Sequence, residues 1–329
     1  MTSSDDKLSG EDRLIARYFK PLATAAGAFG LADDAAVIAP PPGHELVVTT
    51  DGLIAGVHFF EGEEAGHVAR KAFRVNLSDL VAKGAPPVGY MLSLALPKQI
   101  DDAWLRLFAD ALQEDGDTCS CPLYGGDTDR TPGPLSVSIT MFGSVPHGAM
   151  VRRAGAKPGD LVFVTGSIGD AALGLALRQG ANWKLSEAER DHLLSRYRLP
   201  RVRLAMAEIL RTHASAAMDV SDGLAGDLAK LCRVSQVATD VDVTRVPLSD
   251  AAKAVTAADP AMLEAALTGG DDYEIVCTVP PDNAESLRAA AKAADIALTQ
   301  IGTIAAGQGV RFLSGGQPLD FKRAAFSHF

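Results

Sequence analysis

Aspartates set beside glycines at the edges of apolar runs constrain this chain more than any other feature. They are Asp33-Asp34 after Gly30, Asp51 in Thr49-Thr50-Asp51-Gly52, Asp79 in Asn76-Leu77-Ser78-Asp79, and Asp127 in Gly125-Gly126-Asp127. Asp219 and Asp222 follow in Asp219-Val220-Ser221-Asp222-Gly223, and Asp271-Asp272 comes after Gly269-Gly270. Aspartate is a poor strand former, and charge avoids burial unless it is paired. Such residues belong where strands end, with carboxylates aimed outward and glycine letting the backbone approach a ligand. Any one of these sites is an ordinary turn or helix cap. Their recurrence along one chain points to shared chemistry.

A length of 329 residues suggests two domains. Apolar spacing predicts helices over 11–26, 67–83, 101–114, 170–178, 187–197, 201–212, 224–233 and 284–293. It predicts strands over 35–38, 45–50, 88–96, 135–145, 161–165, 273–279, 296–301 and 310–313. Glycines, prolines and two arginines over 146–159 mark a junction, giving domains 1–149 and 150–329. Strands alternate with helices in no strict parallel order, so both halves read as α+β or mixed α/β.

The chain carries 31 basic and 41 acidic residues, a net charge of −10, which argues against a general nucleic-acid binder. No stretch approaches the roughly 18–20 apolar residues of a membrane span, and residues 1–7 lack the order of a signal peptide. The 4 cysteines make no disulfide scaffold, and Cys119-x-Cys121 has no partner pair at zinc spacing. The expectation is a reduced, cytoplasmic protein that binds neither nucleic acid nor membrane.

Oxygen ligands without histidine or cysteine at metal spacing favour Mg²⁺ or Ca²⁺ over zinc. The calcium-loop order D-x-D-x-D-G is missing, and Mg²⁺ shared with substrate phosphates suits single carboxylates from several loops. Asn76, Asp79 and Lys83 share one helix face. The sequence has no P-loop, no protein-kinase signature, no G-x-G-x-x-G and no G-x-S-x-G. What stands is Mg²⁺-dependent phosphate chemistry of a different construction.

At this point the motifs resemble the thiamine-monophosphate kinase family, within the superfamily that includes aminoimidazole ribonucleotide synthetase. The matching stretches are Leu31-Ala32-Asp33-Asp34-Ala35-Ala36, Thr49-Thr50-Asp51 with Gly56-Val57-His58-Phe59, and Lys71-Ala72 with Val75 to Leu80. Tyr124-Gly125-Gly126-Asp127-Thr128, Arg153-Ala154-Gly155-Ala156-Lys157-Pro158-Gly159-Asp160, Asp219 to Leu224 and Gly269 to Glu274 complete the set in family order. Ala32 stands where the family often has glycine, Asp271 where glutamate is usual, and Phe326 where tyrosine or tryptophan is common.

The resemblance implies transfer of the ATP γ-phosphate to thiamine monophosphate. It implies several Mg²⁺ ions among Asp34, Thr49, Thr50, Asp51, Asp79, Asp127, Asp219 and Asp222, with Asp51, Asp127 and Asp222 acting through metal and no dedicated catalytic side chain. It implies ATP contacts from Gly126, Asp127, Arg153 and Ser221, and thiamine-phosphate contacts from His58, Asp271 and Phe326. It implies a homodimer that joins strands of an N-terminal Mg²⁺- and ATP-binding domain, and a C-terminal α/β domain completing the ATP and substrate site. Two alternatives stand beside it: another ATP-dependent synthetase of the superfamily, and a non-catalytic Mg²⁺-nucleotide-binding regulator. A selenophosphate synthetase would want a reactive cysteine near the N-terminus, and no cysteine precedes Cys119.

Overall fold

A computed structural model describes residues 10–321 and Ala325. The chain divides into two compact units. One holds the chain up to Leu80 together with Pro86–Gly148; the other holds Val81–Ala85 and the chain from Ala149.

The first unit is built on period-two burial. In β2 (Pro87–Leu96), Tyr90, Leu92, Leu94 and Leu96 are buried while Met91 and Ser93 are exposed. In β4 (Ser136–Pro146), Val137, Ile139 and Met141 repeat the pattern. With β1 (His44–Ile54) and β3 (Leu123–Arg130) these strands form a sheet of order β1-β4-β2-β3. The β2–β3 pair is parallel and the other two are antiparallel. Helix α2 (Ala65–Ala82) packs on the buried face, where Phe73 meets Tyr90 edge-on with ring centroids 5.3 Å apart. Helix α3 (Asp102–Cys119) starts at Asp101, whose side chain accepts the Trp104 amide at 2.8 Å. Asp115 ties the two helices together, taking Arg74 Nε at 2.6 Å and Arg70 Nη1 at 2.9 Å. Phe108 and Leu112 of α3 are fully buried.

The N-terminal segment departs from expectation. The helix predicted over 11–26 is a single α-turn, α1 (Gly10–Leu14), that widens to a π turn over Ile15–Phe19 and tightens to 3₁₀ over Lys20–Leu22. Pro21 ends regular α-helix there, because it donates no backbone hydrogen bond. Residues 35–38, expected as a strand, pair with no strand in the described chain, and the Val37 amide bonds Gly27 O at 2.9 Å.

The second unit carries a seven-stranded sheet of order β11-β10-β7-β9-β5-β8-β6. Its strands are β5 (Leu161–Thr165), β6 (Ala216–Asp219), β7 (Ala238–Asp242), β8 (Ile275–Val279), β9 (Leu298–Ala305), β10 (Gly309–Ser314) and β11 (Gln317–Pro318). Only β7–β10 is parallel. Strands β5 and β8 are apolar along nearly their whole length, as expected of central strands covered on both faces. Helix α7 (Leu224–Ser235) packs Leu228 and Leu231 with Val164, Met218 and Val276 in the main core. Helices α4 (Asp170–Arg178), α5 (Glu187–Arg198) and α8 (Asp250–Ala258) join in a smaller cluster of Leu173, Leu193 and Val255. Helices α6 (Met206–His213), α9 (Met262–Thr268) and α10 (Ala284–Ala293) complete the unit.

Among the described residues, no helix is long and apolar enough to cross a membrane. All four cysteines are free, with Cys121, Cys232 and Cys277 buried and Cys119 half-buried.

Candidate active site

In the first unit the polar centre of β1 is the starting point. Thr49 and Asp51 share the face of the sheet that α2 covers, and Thr50 lies on the other. Thr49 Oγ1 donates to Asp79 Oδ2 at 2.5 Å, and the Asp51 amide donates to Asn76 Oδ1 at 2.9 Å. Asn76 is fully buried and its Nδ2 bonds Ala72 O at 2.9 Å, so α2 fixes the amide that supports β1. The Thr50 hydroxyl bonds Ile139 O at 3.1 Å and Thr140 Oγ1 at 3.0 Å on the opposite face. Asp51 therefore lies inside a strand, where sequence reasoning expected a strand end.

Asp127 also lies inside a strand, β3, which sequence reasoning missed altogether. Asp33, Asp34, Gly126 and Asp127 line one cavity of about 310 Å³, with Met91 and Tyr124 as apolar walls. The sheet register places Asp51, Ile139, Leu92 and Gly126 in one row. Three strand spacings, about 14 Å, separate the ends of such a row. Two oxygen-rich groups result within this unit, one around Thr49, Asp51 and Asp79 and one around Asp34 and Asp127. A second cavity of about 360 Å³, lined by Tyr90, Leu112 and Cys121 among others, holds none of the sequence-predicted site residues.

Gly126 is required by close approach. A Cβ there would lie 1.7 Å from Leu92 O of the neighbouring strand. His58 follows β1 in a turn, where its Nδ1 accepts the Ile54 amide at 3.0 Å. In the neutral ring this leaves the proton on Nε2. The buried Lys71 donates from Nζ to His58 O at 3.1 Å and anchors the same turn.

In the second unit two acidic loops are stitched together by backbone. The Asp271 amide donates to Ser221 O at 2.8 Å, Tyr273 N to Val220 O at 2.9 Å, and Val220 N to Glu274 O at 2.7 Å. Asp271 and Tyr273 both have positive φ, +64° and +50°, conformations that disfavour side chains with a Cβ. A Cβ on Gly270, between the loops at φ +78°, would lie 2.3 Å from Ser221 O. Buried charge holds this geometry. Asp272 accepts the Gly169 amide at 2.8 Å at the start of α4, and Glu274 takes Arg196, Arg203 and the Thr165 hydroxyl. Burial pushes the Asp272 carboxyl well above the usual range, against the pull of the Gly169 amide and Arg196. Asp170 next to it goes the other way. Burial raises it, but hydrogen bonds from His192, Ser167 and Ser249 outweigh burial and hold it low.

Asp219 is buried at the end of β6, and Ser221 and Asp222 follow. Asp227 Oδ2 accepts the amides of both Ser221, at 2.9 Å, and Asp222, at 2.8 Å. Lys230 Nζ bonds Asp227 Oδ1 at 2.8 Å and also contacts Asp222 Oδ2. Sequence reasoning passed over Asp227 and Lys230. Their i+5 and i+8 spacing from Asp222, on the following helix, was the available signal. Arg153 is exposed, and its carbonyl accepts the Ser235 hydroxyl at 3.1 Å. Phe326 lies outside the described residues.

Among the described residues, no group of three or more His, Cys, Asp or Glu side chains stands close enough to hold a metal. The donors nonetheless fit Mg²⁺, which takes hard oxygens and completes its shell with waters and substrate phosphates rather than a protein cage. Thr49, Asp51 and Asp79, and Asp34 with Asp127, offer that kind of partial oxygen shell.

Both units have known counterparts. The N-terminal domain family of AIR synthase related proteins matches residues 32–145, and the corresponding C-terminal domain family matches residues 157–314. Over 318 residues the chain is 43% identical to the thiamine-monophosphate kinase of Caulobacter vibrioides, covering 95% of this chain and 89% of that protein. The crystal structure of thiamine-monophosphate kinase from Stenotrophomonas maltophilia K279a superposes with a TM-score of 0.82 at 39% identity, covering 94% of this chain and 96% of that one. A solved structure of AaThiL complexed with AMPPCP and TMP has a TM-score of 0.77 at 28% identity, covering 92% and 97%. The chain belongs to the thiamine-monophosphate kinase family, a family of phosphotransferases.

Proposed function

We propose that this chain phosphorylates thiamine monophosphate with ATP, releasing thiamine diphosphate and ADP. The observation that carries the reading is the similarity, over 92% of the chain, to a structure holding AMPPCP and TMP together. An oxygen of the acceptor phosphate attacks the γ-phosphorus as the bond to the β-γ bridging oxygen breaks. That oxygen is already anionic at pH 7, so no side chain has to remove a proton. The protein's task is to hold two mutually repelling anions in line, which is the usual content of phosphoryl-transfer catalysis.

Bound Mg²⁺ ions would supply charge neutralisation, held by Asp34, Thr49, Thr50, Asp51, Asp79, Asp127, Asp219 and Asp222. Gly126, Asp127, Arg153 and Ser221 contact ATP in this reading, Arg153 adding a permanent cation for the phosphates. His58 Nε2–H is the donor at the acceptor phosphate, and Asp271 and Phe326 contact the thiamine moiety.

A coupled ADP-release assay tests the reaction. Thiamine monophosphate should drive ADP release and free thiamine should not, with EDTA stopping the reaction and excess Mg²⁺ restoring it. Equal release with free thiamine, or none with the monophosphate, refutes the reading.

The protein acts as a cytoplasmic homodimer in this reading. The face of the first sheet opposite α2 supports the dimer, because it leaves Val48 at 56% exposure. Sedimentation equilibrium should give twice the chain mass for the natural sequence and the single chain mass for Val48→Glu. A monomeric natural protein removes the dimer.

A further inference from the structure

We infer that Lys230 is a positioning residue that holds the Asp222 carboxylate in the divalent cation's stead and thereby sets how much cation the site requires. This rests on the reading of Asp222 as a magnesium ligand. Lys230, on α7, is tied to the loop through Asp227 and Asp222 and is not a loose surface cation. Asp227 is fully buried, and both its oxygens are used. Its Oδ2 holds the Ser221 and Asp222 amides, and its Oδ1 holds Lys230 Nζ at 2.8 Å. From that anchor the ammonium reaches Asp222 Oδ2.

An ammonium and a divalent cation on one carboxylate repel each other. Arrival of the cation therefore displaces Lys230 from Asp222, while Asp227 keeps the ammonium tethered nearby. The lysine thus preorients Asp222 before the cation arrives, at the expense of competing with it.

The test is Mn²⁺ alone, titrated into the full chain and followed by the electron paramagnetic resonance signal of the free ion. Lys230→Met should tighten Mn²⁺ binding about fivefold, the worth of a partly exposed ion pair. Lys230→Gln, which keeps a donor for Asp227 and loses the charge, should do the same if the methionine variant folds poorly by circular dichroism. Lys230→Arg should stay within about twofold of the natural chain, since it keeps the cation. In an Asp222→Asn background the gain from Lys230→Met should vanish, as a double-mutant cycle requires of a direct pair. Unchanged or weaker binding in the charge-removing variants, with Asp222→Asn still weakening binding, overturns the inference and leaves Asp222 as a ligand. Unchanged binding in Asp222→Asn overturns both.

Discussion

Asp51→Ala is expected to lower thiamine-monophosphate-dependent ADP release by about 10³-fold, the scale of losing one preorganised charge-stabilising group. Its stability should stay within about 0.5 kcal/mol of the natural chain. The reason is local. Asp51 is exposed in the middle of β1, where its backbone amide donates to Asn76 Oδ1. Alanine keeps that hydrogen bond. Aspartate is also among the residues least suited to a strand, so the change to alanine costs no strand propensity at this position. Turnover near that of the natural chain in folded Asp51→Ala would remove Asp51 from the cation assignment. Asp222→Ala provides a parallel test in the second unit, where Asp227 continues to hold the loop amides.

Gly126→Ala is expected to destabilise the first unit by about 3 kcal/mol or more, at the upper end of overpacking effects. Nucleotide binding should be lost with it. The methyl group would be driven against Leu92 O, a backbone atom that can move only by breaking the β2–β3 pairing. Gly125→Ala is the control. Its Cβ would lie 3.4 Å from Met91 Cε, the end of a flexible side chain, so the change should stay within about 0.5 kcal/mol. Urea unfolding of the two variants reads the difference. Equal stability of Gly126→Ala and Gly125→Ala would contradict the close approach of the two strands.

The helices with strong apolar periodicity were legible from the residues alone. The α2, α4 and α10 helices fall within a residue or two of their expected bounds. β3 was not legible, because Gly125-Gly126-Asp127-Thr128-Asp129-Arg130 has the composition of a turn. It is a strand because its backbone pairs in parallel with β2, a long-range contact that local propensity cannot report. The short β6 was hidden by its small residues, Ala216 and Ala217. Over 201–212 the helix begins only at Met206, and Arg203 is drawn to buried Glu274, 71 positions away in sequence. For the candidate site, the acidic residues were named from motif order, and residue types alone could not separate Thr49 from its neighbour Thr50. Register does so, by placing the two hydroxyls on opposite faces.

The three backbone bonds that join residues 220–221 to 271–274 have a thermodynamic consequence. The stretch bearing Ser221 and Asp222 and the stretch bearing Asp271 cannot shift independently without breaking these backbone hydrogen bonds. A molecule that immobilises Asp271 therefore prepays part of the entropy of ordering the turn beside Asp222, and a cation on Asp222 returns the favour by the same amount. If both ends of this short ribbon hold ligands, as proposed, occupancy at one is energetically linked to occupancy at the other.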